Sequence, residues 1–449
     1  MTAASLAALG HTHRRALMKR LPDGLIVVSA APRARRNGDV DYPYRQDSTF
    51  LWLAGVQQPG YVLLLDPKSG GETLFCPRLT QEHAVWMGHI PNLAETRRMT
   101  GIREVLYVDD FAATFRKHGQ GRRPVYVDRG SAALVRKALG SARVERPELE
   151  EAVSELRIVK DDGEIALLRA ACEATEQGYA TAFRCAREGT WEWQVEAELE
   201  RAFRLAGCPE VGFESIVASG RNSAVLHYHA NSAPLLKGDL LLIDAGAELH
   251  GYGADLTRTF PVDGRFTQKQ RGVYEAVLHA QEACIDLCRE GRTSLELQRK
   301  AEEALAAGLV DLGLLKGPVE DLVDSEAVRV FFPHGIGHPL GLDVHDVKGG
   351  RRRQLPKGRS GRLRFRARLE PGFAITIEPG LYFIEALIRD AELRKKHRGL
   401  VDWKRAESYL DFGGVRIEDD VVIQPGGAPA LNLTRTPKTV EAIEAACAA

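Results

Sequence analysis

The sequence predicts an α/β (α+β) protein of two domains: a mixed α/β domain first, then a larger one of paired helices and mainly antiparallel strands. Three observations carry this. A chain of 449 residues has length for two or three domains, each with its own core. The first third alternates short apolar runs with helix-like stretches. Beyond it the order changes to two helices, a group of strands, two long helices, and then mostly strands and turns.

Taken in order, MTAASLAALGHTHRRALMKRL places a short apolar segment ahead of its basic residues, the reverse of a signal peptide, and reads as a surface helix. Strands are expected at Leu25 to Ala31, Tyr61 to Asp66, Glu72 to Pro77, Glu104 to Asp110 and Pro124 to Asp128, with helices around Gln81 to Met87 and Ala132 to Leu139. In the segment that follows, Ile165, Leu168, Ala171 and Cys172 recur at helical spacing behind a charged start. The domain boundary is placed at that front, giving domains 1–155 and 156–449. Helices are expected again from Trp191 to Gly207, Thr267 to Arg289 and Ser294 to Leu312.

Bulk properties exclude several function classes. Lys plus Arg and Asp plus Glu both number 61, which argues against a general polyanion binder or a membrane-surface protein. No apolar run is long enough to span a bilayer. The seven cysteines are scattered and include no C-x-x-C pair, which fits a reducing, cytoplasmic compartment.

The chemistry centres on GDLLLIDAGAELHGYGADLTRTFP, from Gly238. Leu240 to Ile243 reads as a buried strand ending in Asp244, and the run from Ala254 to Phe260 alternates, with Asp255, Thr257 and Thr259 on one face. A tight turn at Leu249-His250 would set Asp244 opposite Asp255, with Cβ atoms about 4.5–5.5 Å apart. At an effective dielectric near 20 the repulsion at about 4 Å is on the order of 4 kcal/mol, so a cation is expected between them. A lone Asp at either place would be an ordinary turn former or solvated residue; their opposition is what singles them out.

Further donors are expected from three later passages. FFPHGIGHPLGLDVHD carries His334, His338 and His345 among glycines and prolines that forbid a helix and let backbone pack closely. AITIEPGLYF carries Glu378 on a strand that Pro379-Gly380 ends, and GGVRIEDDVVI puts Arg416, Glu418 and Asp420 on one face. Four carboxylates and one imidazole would neutralise two divalent ions; without metal, mutual repulsion should raise the carboxylate pKa values.

DAGAELHGYGADLTRTFP, HGIGHPLGLDVHD, TIEPGLYF and GGVRIEDDVVI resemble, in that order, the signature passages of the proline-specific metallopeptidases with the pita-bread, or methionine-aminopeptidase-like, fold. YPYRQDSTFLWLAGVQQPG and TLFCPRLTQEHAVWMG resemble the creatinase-like amino-terminal domain of prolidase and aminopeptidase P, a domain associated with oligomerisation and with covering the site. The resemblance implies that Asp244 chelates one metal, that Asp255 and Glu418 bridge both, and that His338 and Glu378 complete the other shell. It implies two Mn2+ per subunit, with Co2+ or Zn2+ also compatible with such ligands, and hydrolysis by a metal-bridging hydroxide with Glu378 as proton shuttle. His227 and His345 correspond to substrate-contacting histidines, and His334 to one lining the proline pocket. Arg416 is expected to orient a ligand carboxylate. Phe213 stands where relatives often carry tyrosine, and Trp86 resembles a residue that reaches a neighbouring subunit's site. A homo-oligomer, with a dimer favoured, follows.

Two features favour cleavage of Xaa-Pro dipeptides over trimming of longer peptides by an aminopeptidase P. The 39 residues between Glu378 and Glu418 (418 − 378 − 1) resemble the insertion of prolidases. Arg364 falls where prolidases place the arginine that clamps the dipeptide's free carboxylate, a contact worth about 1.5–3 kcal/mol. Arg364 lies in a basic run, Arg351 to Arg368, which also raises a rival from another class, a nucleic-acid or protein-binding scaffold on the same fold. The neutral total charge and the retention of all five ligands weigh against it, and no nucleic-acid or membrane partner is expected.

Overall fold

The structure, a computed structural model, describes residues 3–118, 123–139, 144–145, 147–356 and 363–448. Two compact units emerge, one made of the chain up to Arg157 together with Gly349–Arg351, the other of Ile158–Lys348 and Arg352–Ala449.

In the first unit six strands form one sheet in the order Glu104–Tyr107, Gly71–Cys76, Val62–Asp66, Leu25–Ser29, Val125–Val127, Val144–Glu145. The central pairings are antiparallel and the outer ones parallel. Alternate residues Leu25, Val27, Val62, Leu64 and Phe75 pack beneath Phe111, Phe115 and Val135 of the helices Phe111–His118 and Ser131–Leu139. The first helix, Ala3–Arg20, departs from the sequence expectation of a surface element. His13, Arg14, Leu17 and Met18 are buried along it, and the Arg14 guanidinium is accommodated by donating to Leu53 O at 2.6 Å and to Glu72 at 2.8 Å. Trp86 ends the short helix Gln81–Trp86 and is 78% exposed.

The second unit is built on antiparallel ladders. Ile216–Ser219, Leu240–Ala245 and Leu256–Pro261 form one, Ala374–Ile377, Asp419–Val422 and Leu431–Asn432 another, and Gly380–Tyr382 pairs with Gly414–Arg416. Single bridges stitch them together, Thr257 to Glu418 and Pro339 to Ile375. Helix Asp162–Cys185 packs on Glu192–Leu205, and Gln268–Leu287 on Ser294–Asp311. Leu240 to Ile243 are at most 1% exposed, each contributing about 1.5–3 kcal/mol by burial, so the strand that delivers Asp244 is firmly seated. Arg258 is wholly buried and acts as a clamp: it donates to the carbonyls of Thr257, Glu418, Thr436 and Pro437 and pairs with Asp419 at 2.7 Å.

Two expectations are corrected here. The region between Glu378 and Glu418 is not only strand and turn, because short helices occupy Glu385–Ile388, Ala391–Lys396 and Trp403–Glu407. The hairpin after Asp244 turns at His250-Gly251, not at Leu249-His250: Leu249 pairs with Tyr252, and both central residues have positive φ, 52° and 90°. A two-residue hairpin of that twist favours glycine at its second central position, which fixes the turn one residue later than expected.

Candidate metal centre

That one-residue displacement of the turn moves the register by two, so Asp244 lies opposite Thr257, not opposite Asp255. The shift is even, and therefore leaves both acids on one face as diagonal neighbours. Asp255 precedes its strand, and its backbone N–H donates to Asp420 Oδ2 at 3.0 Å.

The other donors arrive from separate elements. Pro339 bridges Ile375, and the His338 N–H reaches Thr376 Oγ1 at 3.2 Å, which brings His338 beside the strand that leads to Glu378. A side chain at Gly337 would place Cβ 1.9 Å from Thr376 O, so only glycine permits this approach. Glu418 N–H donates to Thr257 O at 3.0 Å and its carboxylate accepts from Thr257 Oγ1 at 2.7 Å.

Asp255, His338 and Glu418 thereby present ligand atoms within 4.8 Å of one another, all buried. His338 Nδ1 donates to Pro339 O at 3.1 Å, which leaves the Nε2 lone pair facing Asp255 Oδ2 at 3.4 Å and Glu378 Oε1 at 3.7 Å. Asp244 Oδ1 is buried without a hydrogen-bond partner. Lone pairs aimed at one another, with an orphaned carboxylate oxygen beside them, suit divalent cations; the oxygen-rich set with one imidazole suits manganese, cobalt or zinc.

The electrostatics say the same. Burial, then repulsion from Glu418 and Asp244, holds the Asp255 carboxyl far above the usual range; Glu418 is likewise raised, by burial and then by Glu378 and Asp244. Burial pushes Glu378 up to about 8. Desolvation is thus the largest single cause, ahead of any one of the repulsions expected from the sequence. It also keeps the imidazoles neutral: His334 and His338 are pulled down to about 3, first by burial and next by Arg416 and His345 respectively. His345 falls to about 4 by desolvation at the cavity wall and the Arg364 charge beside it.

These residues line a cavity of about 440 Å³ that takes in Asp244, Asp255, His338, Glu378 and Glu418, with His227, His334, His345, Phe213, Arg364 and Arg416. Trp86 belongs to the other unit and is not among the lining residues. Of the basic run, 357–362 lie outside the described residues. Arg353 is taken up by Glu370 and Arg368 by Gly291 O, whereas Arg364 is exposed and donates to His345 Nδ1 at 3.3 Å.

Arg416 is only 4% exposed and organises one wall. It donates to Asp244 Oδ2, to Thr257 Oγ1 at 3.2 Å and to the Tyr382 hydroxyl at 2.9 Å. Tyr382 in turn donates to His334 Nε2 at 2.8 Å, and His334 Nδ1 donates to Gly335 O at 2.9 Å. The chain of bonds runs from a metal-type ligand to a cavity-lining imidazole. Tyr382 was missed as a site residue in the sequence. Its only signal is that it follows Glu378 by four residues on a new strand beyond Pro379. Tyr382→Phe leaves Arg416 Nη1 and His334 Nε2 without partners in a buried wall. The expected cost is about 1–3 kcal/mol of folding stability, read from urea unfolding of the two proteins.

Comparison with known proteins adds the following. A family model described as metallopeptidase family M24 matches residues 166–425, and one described as aminopeptidase P, N-terminal domain, matches residues 11–126. The Xaa-Pro aminopeptidase of Escherichia coli (strain K12) is 35% identical over 450 residues, covering 96% of each chain. The Xaa-Pro dipeptidase of Homo sapiens is 34% identical over 425 residues, 91% of this chain and 85% of that one. A solved zinc-substituted E. coli aminopeptidase P in complex with product superposes with a TM-score of 0.84 at 34% identity, covering 100% of this chain and 98% of that chain.

Proposed function

We propose, because the chain belongs to metallopeptidase family M24, that it is an Xaa-Pro dipeptidase holding two Mn2+ ions in this cavity. The protein is a metallopeptidase of the Xaa-Pro peptidase type, with an aminopeptidase P-type amino-terminal unit and a pita-bread carboxy-terminal unit. The preference for dipeptides rests on Arg364. Its guanidinium lines the cavity and spends one donor on His345, leaving others free for a carboxylate. Only a dipeptide presents a charged carboxylate directly on its proline; a longer peptide offers an amide there.

Asp244, Asp255, His338, Glu378 and Glu418 would hold the ions, which supply an activated water and polarise the scissile carbonyl. The chain's own groups do the rest. Glu378, facing the cavity beside His338, would accept the proton of the attacking water and return it to the proline nitrogen as the C–N bond breaks. His345 accepts at Nδ1 from Arg364, so its proton sits on Nε2, where it can donate to the oxygen that becomes negative. His227, whose pKa is lowered by desolvation and the Arg364 charge, serves as a second neutral donor to that oxygen. His334 is fixed by Tyr382 and forms the wall against the proline ring; Phe213 lies along the same cavity. The same reading gives a cytoplasmic homodimer, with the amino-terminal unit and Trp86 engaged between subunits. No described helix is long and apolar enough to cross a membrane.

An aminopeptidase P reading is favoured by the 96% mutual coverage with the E. coli enzyme. The two separate in one assay: manganese-loaded protein with an Xaa-Pro dipeptide and the matching Xaa-Pro-Yaa tripeptide. Proline is expected from the dipeptide, with the tripeptide cut at least about tenfold less well, the lower limit of a lost charge-assisted contact. Equal or better cutting of the tripeptide makes the protein an aminopeptidase.

A further inference from the structure

Glu192 opens the helix Glu192–Leu205 and is completely buried, yet its carboxylate is not used by that helix. The helix start is served by Gln194, whose side chain accepts from the Trp191 N–H at 2.9 Å. Glu192 instead collects five donors from one stretch of chain. Its Oε1 accepts from the Ser219 N–H at 2.7 Å, the Ser219 hydroxyl at 2.7 Å and the Asn222 side-chain amide at 3.0 Å. Its Oε2 accepts from the Tyr228 hydroxyl at 2.8 Å and the Ala233 N–H at 2.8 Å. The Glu192 N–H closes the ring on Ala233 O at 2.9 Å.

The donors therefore fall at both ends and in the middle of residues 219–233. That stretch has a 3-10 turn at Gly220–Ala224 and no strand after it to hold its course. Its far end has a second anchor, Asn231, which sits at φ 42° and is bonded to Val217 N, Ser215 O and Glu196. Between the turn and Asn231 lie Leu226, His227 and His229, all of which line the cavity. Tyr228, next to His227 in the chain, is bound to Glu192 and also accepts from Asn222 at 3.0 Å. A buried carboxylate satisfied wholly by neutral donors fixes geometry: each donor it loses leaves part of the anion unsolvated.

We propose that Glu192 is a positioning residue for His227, gathering the loop 219–233 onto one buried carboxylate so that the imidazole stands at the cavity wall. The contribution to turnover rests on the peptidase reading above; the tether does not. An amide at 192 cannot replace the anion. Turned one way its NH2 faces the Ala233 N–H, turned the other way the Ser219 N–H, and neither can accept.

The test is a double-mutant cycle with an independent structural readout. Glu192→Gln is expected to lower kcat/KM for an Xaa-Pro dipeptide about tenfold in the wild-type background and less than about twofold in a His227→Ala background, because the two residues act as one unit. Arg221, whose side chain is 58% exposed, offers a tryptic site inside the loop. Cleavage there should quicken at least about fivefold in Glu192→Gln under conditions where both proteins stay folded. Should Glu192→Gln fold poorly, Tyr228→Phe removes one of the five donors and is expected to give a smaller loss with the same non-additivity. An equal loss in both backgrounds means Glu192 acts on the whole fold and overturns the proposal, as does unchanged cleavage at Arg221. If the wild type cleaves no Xaa-Pro substrate, the peptidase reading falls, and the tether then stands or falls on Arg221 cleavage.

Discussion

Glu418→Gln should raise the melting temperature of the metal-free protein while lowering its manganese-supported kcat/KM by about a thousandfold or more. The two effects share a cause. Without cations, Glu418 is a buried acid held far above its usual pKa by burial and by Glu378 and Asp244, so replacing it with a neutral amide removes that penalty. With cations, the proposed role of the same residue is that of a ligand, whose loss would dismantle the centre. Manganese should stabilise the wild type by about 2.7 kcal/mol at a hundred times its dissociation constant, and the variant by much less.

The pH dependence has a definite sign. Asp255 and Glu418 are raised well above, and Glu378 to about 8 from 4.5, so in the metal-free fold they bind protons that the unfolded chain has already released. Stability then falls as pH rises, by up to about 1.4 kcal/mol per pH unit for each proton held. The depressed imidazoles oppose this only below about pH 6.5, where the unfolded chain protonates them. Chelated protein should accordingly melt lower at pH 8 than at pH 6.5, and saturating manganese should abolish the slope. A melting temperature of chelated protein that rises across this window contradicts the assignment of the acids to one desolvated cluster.

Arg364→Ala should lower kcat/KM for an Xaa-Pro dipeptide by about 10- to 150-fold, the equivalent of 1.5–3 kcal/mol, while a tripeptide with an amide at that position changes little. Arg364 is exposed and, among the described residues, bonded to His345 alone, so its removal should not disturb the fold. Steady-state kinetics on the two substrates measures the difference directly. Undiminished dipeptide turnover assigns the carboxylate to another residue, and Arg416 cannot take that part because it is buried on Asp244 and Tyr382.

The sequence exposed the two-domain α/β plan and the strands of the first unit because these depend on local apolar patterning. It also exposed the acid pair, though through a register wrong by two; Gly251, as the second residue of the turn, held the information needed to correct it. The convergence of His338 and Glu378 depends on the bridge from Pro339 to Ile375 and on the space left by Gly337, contacts far apart in the chain and without a periodic signature. Tyr382 and Glu192 were invisible for a related reason. Each acts through several partners that only the folded chain assembles, and nothing about a lone tyrosine or a glutamate on a helix marks it. The helices inside the 378–418 region are short, and their existence depends on what they pack against.

The Arg258 clamp bears on how a cell makes this protein. Its guanidinium holds the peptide oxygen of Glu418 and those of Thr436 and Pro437. Translation must therefore pass residue 437 before the last carboxylate can be locked in place. Until then the acids of the cluster lack the seat that orients them, so the cluster should assemble only after residue 437 has left the ribosome.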